Sequence, residues 1–303
     1  DKDILFKGND GGSGITALTL DMSEAGAASF NSTINGVGIS SNISNFSQSI
    51  LISNDAGTGT LDAASNNTGL GFEVFDDLTS GDNNTGVGSG ALSKVTTGSS
   101  NTAVGYLALE DHTTGTNNVA VGKDALRTNT TGTGNVSIGA NSLENNTTAD
   151  SNTAVGNAAL LANTTGASNV AVGKSSLTAN TTASNNTAVG ESSLKSNTDG
   201  HSNTGIGLAA LEENTTADAN TGIGFKALNK NTTASDNTAV GASALKVNTT
   251  GNQNVAVGSN ALDANTTANN NTAVGYNAMT ANTTGSNCVA VGMNALLANT
   301  TGG

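Results

Sequence analysis

The sequence is poor in the large side chains that usually fill a protein core. Its 303 residues include no tryptophan, two tyrosines and six phenylalanines, whereas 39 are glycine. A globular domain of this length normally depends on larger apolar residues. Alanine, valine and leucine must therefore supply the core, and a thin core in a long chain predicts an elongated, repetitive molecule.

Cysteine, basic residues and long apolar runs are also scarce. Cys288 is the single cysteine, which excludes an internal disulfide and a thiolate zinc cluster. The net charge is −13 with only 10 Lys and Arg, so no basic stripe is available for nucleic acid. No apolar run reaches the roughly 18 residues of a membrane span, so none is predicted.

A 17-residue repeat occupies residues 67–303. Its most regular feature is a glycine that recurs fourteen times at steps of 17 residues without an insertion. Because a flexible linker would tolerate slips, this regularity predicts a fixed three-dimensional period. These glycines are Gly71, Gly88, Gly105, Gly122, Gly139, Gly156, Gly173, Gly190, Gly207, Gly224, Gly241, Gly258, Gly275 and Gly292.

We number the columns of the repeat from the residue four places before this glycine, which stands in column 5. Column 1 is Asn in thirteen repeats and Cys288 in the last, and column 4 is always aliphatic. Column 9 is Leu in twelve repeats, Phe75 in the first and Met279 in the thirteenth. Column 12 is Asn in eleven repeats and column 13 is Thr in all fourteen, whereas columns 6, 7, 10, 11, 16 and 17 vary.

The repeat predicts an all-β fold, a parallel β-solenoid or β-roll with one 17-residue coil per repeat. Two-helix repeats need more than about thirty residues, and Thr, Asn and Gly are poor helix formers. At roughly 4.8 Å per rung, fourteen coils give a rod of roughly 65 Å.

The columns also predict positions within a coil. Columns 2 and 4 should share one side of a strand and column 3 the other, and we expect column 4, such as Val274, to fill the inside. The glycine should mark a positive-φ turn, and columns 8 and 9 a second short strand or a bend. Columns 12 to 15 have turn chemistry. Stacked Asn in columns 1 and 12 should form amide ladders, and Thr in column 13 a hydroxyl ladder.

Column 9 leads to a prediction about assembly. An exposed stripe of leucines would be sticky, so we expect a homotrimer in which the Leu and Met side chains of this column meet along a shared axis. A single-chain solenoid that encloses both aliphatic columns is the alternative.

Residues 1–66 lack the period and predict a small β-rich leader or shaft segment. The stretch DILFKGNDGGSGITALTLDM predicts a hairpin around the turn GNDGGSG, and a further strand is predicted at Ile50–Ile52. The chain does not begin with Met, and its last repeat stops one residue short at Gly303. We therefore expect a piece of a longer protein.

No catalytic, cofactor-binding or metal-binding residue is predicted. His112 and His201 have no nucleophile or paired carboxylate at a recurring spacing. The neighbouring acids Asp76–Asp77 and Glu212–Glu213 should point to opposite faces of a strand. The Gly-Gly-x-Gly-x-Asp pattern of calcium-binding rolls is missing. The ten Asn-Thr-Thr sequons are interpreted as turn chemistry, and Cys288 as a tolerated replacement in the Asn ladder.

The phrase NxVAVGxxALxxNTTG resembles the Val-Ala-Ile-Gly repeat of trimeric autotransporter adhesin heads, although this repeat is longer. The phrase DKDILFKGNDGGSGITALTLDMSEAG with NTAVGYxAL arrays is similar to fibre proteins of marine bacteriophages. The resemblance implies left-handed β-rolls, three chains wide, in an extracellular fibre of a virion or a bacterial cell. In the phage proteins, a chaperone domain that cleaves itself off often follows.

Three classes of function follow. The leading hypothesis is a structural and adhesive fibre, with a host cell-surface glycan or protein as its partner; an autotransporter-type adhesin head is a variant. The second is an ice-binding solenoid that uses Thr and Asn ladders, but columns 13 and 14 are adjacent and should face opposite ways. The third, a glycan-degrading tailspike, is disfavoured because no carboxylate pair recurs at fixed columns.

Overall fold

The chain forms a parallel β-solenoid in which each 17-residue repeat makes one coil. The computed structural model describes residues 63–302 and, N-terminal to them, the strands β1 to β5; side chains are described for residues 50–52 and 63–302. The first six strands are β1 (Ile4–Asp10), β2 (Ser13–Asp21), β3 (Ala27–Phe30), β4 (Gly38–Ile43), β5 (Phe46–Ser53) and β6 (Ala64–Ser65).

Each coil then contributes a single three-residue strand. The strands β7 to β20 are Thr68–Leu70, Thr85–Val87, Thr102–Val104, Val119–Val121, Val136–Ile138, Thr153–Val155, Val170–Val172, Thr187–Val189, Thr204–Ile206, Thr221–Ile223, Thr238–Val240, Val255–Val257, Thr272–Val274 and Val289–Val291. Successive strands pair in parallel and in register, for example Ala171 with Ala188 and Ala188 with Gly205. The predicted all-β solenoid of 17-residue coils is confirmed.

The N-terminal strands include the two elements expected there. β1 and β2 form the predicted hairpin, with Ile4 opposite Leu20, and β3 adds a third antiparallel strand. The predicted strand at Ile50–Ile52 lies within β5, which pairs in parallel with β7, whereas β4 lies antiparallel on β5. The expected side-chain alternation in β1 and β2 lies outside the described side chains, and Met22 lies outside the described residues.

The strand places its middle residue inside the coil, which corrects the prediction for column 4. Every strand from β7 to β20 buries column 3, which is Ala, Gly or Ser, and leaves columns 2 and 4 half-buried or exposed. Val104 in column 4, for example, is 37% exposed, whereas Ala103 is fully buried. The prediction of column 4 as an inner plug is therefore wrong, because the interior beside the strand has room only for small side chains.

The leucine column fills the interior of its own chain. Leu side chains in column 9 are fully buried from Leu92 to Leu262, as is Met279 in the same column. They reach across to the strand, since a Cβ added at Gly222 would lie 3.2 Å from Leu211 Cγ. The prediction that this column meets two other chains along a shared axis is wrong, because one chain already encloses it. The alternative that both aliphatic columns lie inside fails for column 4.

Positive φ angles recur at columns 5, 7, 9 and 17 of the coil, and columns 5 and 9 form two of its corners. The column 5 glycines have φ values between +124° and +145°, which confirms the predicted positive-φ turn. A Cβ at Gly207 would lie 2.5 Å from the carbonyl oxygen of Gly224 in the next coil. Columns 8 and 9 form a bend, and the column 9 residue itself has φ between +47° and +60°. A left-handed Leu is strained, and the burial of its side chain offsets that cost.

The other half of the interior is polar and hydrogen-bonded. In column 1, the backbone N–H of Asn118 donates to Asn101 Oδ1 at 3.0 Å. In column 12, Asn163 Nδ2 donates to Asn146 Oδ1 at 2.9 Å and to the carbonyl of Gly166. Both predicted amide ladders are confirmed. They satisfy polar groups that would otherwise be costly inside the rod.

The threonines of column 13 bond differently from the prediction. Thr164 Oγ1 donates to the backbone carbonyl of Thr181 at 3.1 Å, and this contact recurs from coil to coil. The hydroxyls therefore do not bond to one another. The expected hydroxyl ladder is replaced by a series of hydrogen bonds from Thr hydroxyls to backbone carbonyls of the next coil.

Two truncations in one coil can test whether column 9 lies inside the rod and column 4 outside it. We expect Leu262→Ala to lower the free energy of unfolding by about 2–5 kcal/mol, because it opens a cavity in a fully buried column. Val257→Ala, at a side chain that is 37% exposed, should change it by only about 0.5 kcal/mol. Denaturant unfolding followed by circular dichroism measures both, and equal losses would contradict the assignment of the two columns.

Candidate functional site: the outward strand face

The residues of columns 2 and 4 form one continuous outer surface, which we call the outward strand face. It runs along strands β7 to β20, from Thr68 and Leu70 to Val289 and Val291. Because side chains two places apart on a strand share a face, the two columns lie side by side along the rod. The parallel register repeats them at every coil.

This face is uncharged and built from β-branched residues. Column 2 is Thr in nine coils and Val in five, and column 4 is Val or Ile in every coil except the first. β-Branched side chains have few accessible χ1 rotamers. The face is therefore a rigid array of methyl groups and hydroxyls, although the chain as a whole carries a net charge of −13.

The exposed aromatic side chains of the coils border this face in column 6. Phe72, Tyr106, Phe225 and Tyr276 are between 41% and 53% exposed. They follow the corner glycine, which has no side chain to cover them. Lys226 Nζ lies 5.3 Å from the ring centroid of Phe225. Beside Tyr276, Asn277 Oδ1 accepts a hydrogen bond from Asn260 Nδ2 at 3.2 Å. Tyr276 is thus exposed and Asn277 half-buried, both in columns that vary from coil to coil.

Comparisons with known proteins assign no family to this fold and face. No family model, no curated protein and no solved structure matches the chain.

His112 is buried in column 12, at the start of the Asn ladder. The same column holds Leu78 and Val95 in the two coils before it and Asn129 in the coil after it. Its Nε2 lies 2.8 Å from the carbonyl of Gly115, and its Nδ1 lies 3.1 Å from Asn129 Nδ2. With Nε2 protonated, the ring donates to Gly115 and accepts from Asn129. His112 therefore joins the apolar start of the column to its amide ladder.

The other singled-out residues have structural partners. His201 is exposed, and its Nδ1 accepts from the backbone N–H of Ser184 at 3.0 Å. Glu213 pairs with Lys230, and Glu212 accepts from Asn229 Nδ2 at 2.9 Å. Asp76 and Asp77 stand in the same columns as these two glutamates, in the first coil of the array. Glu212 and Glu213 thus each bond to the following coil.

Cys288 takes over the hydrogen bonds of the asparagine that it replaces. Its backbone N–H donates to Asn271 Oδ1 at 3.0 Å, as an Asn in column 1 does. Its thiol lies 3.0 Å from the carbonyl of Gly302, the acceptor of the Asn side chain in other coils. This geometry agrees with its interpretation as a tolerated replacement.

The sequon asparagines are used inside the rod. Nine of the ten, Asn129 to Asn282, are fully buried in column 12. Their Nδ2 atoms donate to a carbonyl three residues on, as Asn214 does to Ala217 at 3.0 Å. Attaching a sugar to these nitrogens would require the coil to open, so the folded array favours the turn interpretation.

Within residues 63–302 and the described strands before them, no three His, Cys, Asp or Glu lie close enough to share a metal ion. The same part of the chain has no helix long and apolar enough to cross a membrane.

The buried histidine predicts a pH dependence. Burial lowers the pKa of His112 below its ordinary value, although hydrogen bonds to the backbone carbonyls of Gly115 and Asn129 partly oppose this. The unfolded chain therefore binds the proton first as the pH falls below about 6.5, and the free energy of unfolding should decrease until the pH reaches the folded pKa. We expect His112→Asn to remove this part of the decrease, as measured by denaturant unfolding at a series of pH values.

His201→Asn is the control, because it removes the exposed histidine by the same substitution. An equal change of slope in the two variants would contradict a specific contribution of the buried ring.

Proposed function

We propose that the chain is the rod of a structural and adhesive fibre, exposed outside a virion or a bacterial cell. The observation that carries this proposal is the uninterrupted stacking of fourteen coils in one register. Backbone, amide and hydroxyl ladders join each coil to the next. Such repetition favours length and stiffness, as expected of a solenoid in which each repeat contacts its neighbours.

The adhesive part of the proposal rests on the outward columns. The repeated polar groups in columns 1, 12 and 13 are bonded within the rod, so recognition falls to residues that vary, including Tyr276 and Asn277. A host cell-surface glycan or protein is the proposed partner. Many weak contacts along a rod can give a high overall affinity. The proposal assigns the chain no catalytic step.

The proposal retains three copies per fibre but moves their contacts away from the Leu and Met column. That column is enclosed by a single chain, so it cannot hold the copies together. We place the contacts in residues 1–66, where β1 and β3 form the two edges of an antiparallel sheet. Strand edges pair readily with another chain. An adhesin head of the autotransporter type is the variant with the same rod and a bacterial surface as its location.

Particle shape and mass test this proposal together. Electron microscopy of the purified chain should show rods whose repeat region is roughly 65 Å long. Mass photometry should give three chains per particle, and deletion of residues 1–53 should give single chains that keep the rod. Round particles would contradict the fibre, whereas rods that are single chains before the deletion would contradict only the trimer.

Adhesion is tested by binding of fluorescent protein to a panel of bacterial cells. The double variant Tyr276→Ala, Asn277→Ala should bind more weakly than the intact chain, because it removes an accessible ring and amide. A matched pair in the same coil and equally outward, Thr280→Ala with Thr284→Ala, should bind as before. Absence of binding to every cell type would contradict the adhesive role and leave the rod unaffected.

A further inference from the structure

The outward strand face has properties that the fibre role does not use. Over fourteen coils, columns 2 and 4 contain only Thr, Val, Ile and one Leu. Four successive coils place Thr in column 2, at Thr187, Thr204, Thr221 and Thr238. In the same coils column 4 is Val or Ile. Hydroxyl and methyl groups therefore recur on one sheet at a fixed period, without a charge among them.

The hydroxyls of this face are available to solvent, unlike those of column 13. In column 13 the hydroxyl donates to the next coil, as Thr198 does to the carbonyl of Thr215 at 3.2 Å. Across residues 63–302, by contrast, no hydrogen bond joins a column 2 hydroxyl to another protein atom. Column 14 is exposed but holds Asp199 among its threonines, and column 16 includes Asp82, Asp150 and Asp218. Among the columns of the described coils, only those of the outward strand face combine free hydroxyls, methyl groups and the lack of charge.

The spacing of the face is that of a two-dimensional lattice. Adjacent strands lie about 4.8 Å apart, and residues two places apart on a strand are separated by roughly 6.6 Å. Water molecules in the planes of hexagonal ice repeat at distances of the same order. Methyl groups favour ordered, cage-like hydration, and the hydroxyls supply hydrogen bonds that hold such water in place. The internal ladders keep the array rigid.

A protein partner fits this face less well. Two columns along a rod of roughly 65 Å give a strip of roughly 600 Å², below the roughly 800 Å² per partner of a typical stable interface. The columns carry no Trp, Tyr or Arg, the residues that anchor most protein interfaces. More than half of column 2 is Thr, so an apolar partner would leave those hydroxyls without hydrogen bonds.

We propose that the outward strand face binds ice. The Thr-rich columns 13 and 14 are a poorer candidate, because they are adjacent in the sequence and the column 13 hydroxyls are bonded to the next coil. The structure supplies the required geometry in columns 2 and 4. The fibre role does not depend on this activity, because the rod is held together by its interior.

Thermal hysteresis and ice recrystallisation assays on the full chain test the proposal. The intact chain should separate the melting and freezing temperatures and inhibit recrystallisation. Thr204→Lys with Thr221→Lys should reduce both activities to the level of an inactive protein, because the lysines hold their own hydration and protrude from the array. Thr216→Lys with Thr233→Lys is the matched control, since it changes the exposed column 14 of the same two coils and the same net charge.

Two further measurements separate a loss of ice binding from other effects. Thr204→Val with Thr221→Val keeps the shape and should retain most of the activity. Circular dichroism and unfolding should show that all variants fold. The proposal is overturned if the intact chain has no activity, or if the column 14 control loses as much as the column 2 variant. It is also overturned if mass photometry shows that the column 2 lysines dissociate an assembly of several chains, because the face would then be a contact between copies of the chain.

Discussion

The structure depends on one constraint: every polar group inside a thin coil must find its hydrogen-bond partner within that coil or in the coil above or below. A 17-residue ring leaves little interior for water, and a buried amide or carbonyl without a partner is costly. The chain meets this demand by placing the same side chain at the same height in every coil. Asn118, for example, receives through its Oδ1 the backbone N–H of Asn135, and its Nδ2 reaches the carbonyl of Gly132. A single insertion would shift all of these pairs together, which accounts for the unbroken period.

The same constraint explains why the unusual backbone conformations at columns 5 and 9 persist. The column 5 glycines from Gly71 to Gly275 approach the next coil so closely that a methyl group would collide with its backbone. The left-handed leucines of column 9 pay a conformational cost, yet their N–H groups still donate to the next coil, as Leu177 does to Ser193 at 3.0 Å. Strain at these positions is tolerated because stacking and burial over-determine them.

The repeated polar groups form hydrogen bonds inside the rod, so any ligand must be bound by residues on the outer surface. Variable columns such as 6 and 7 can change without disturbing the ladders, which suits the proposed adhesive role. The outward strand face is the exception, since it is both repeated and exposed. Inside the rod, residues must repeat because identical side chains stack on one another. Exposed residues need not repeat for this reason, and β propensity is the only other structural cause. A regular ligand would account for it.

The residue pattern is enough to predict the period, the parallel stacking, the glycine corner and the two Asn ladders, because each follows from a residue type that recurs at one column. It did not determine which face of the strand lies inside. The pattern Thr-Ala-Val defines two faces of the strand, and the larger size of Val in column 4 favours that residue for the core. Closure of the coil decided otherwise: the leucine of column 9 reaches across a narrow interior and leaves room only for Ala, Gly or Ser opposite. The enclosure of the leucine column, the role of His112 at the start of a ladder and the free hydroxyls of column 2 all follow from that closure, which brings together residues that no local pattern relates.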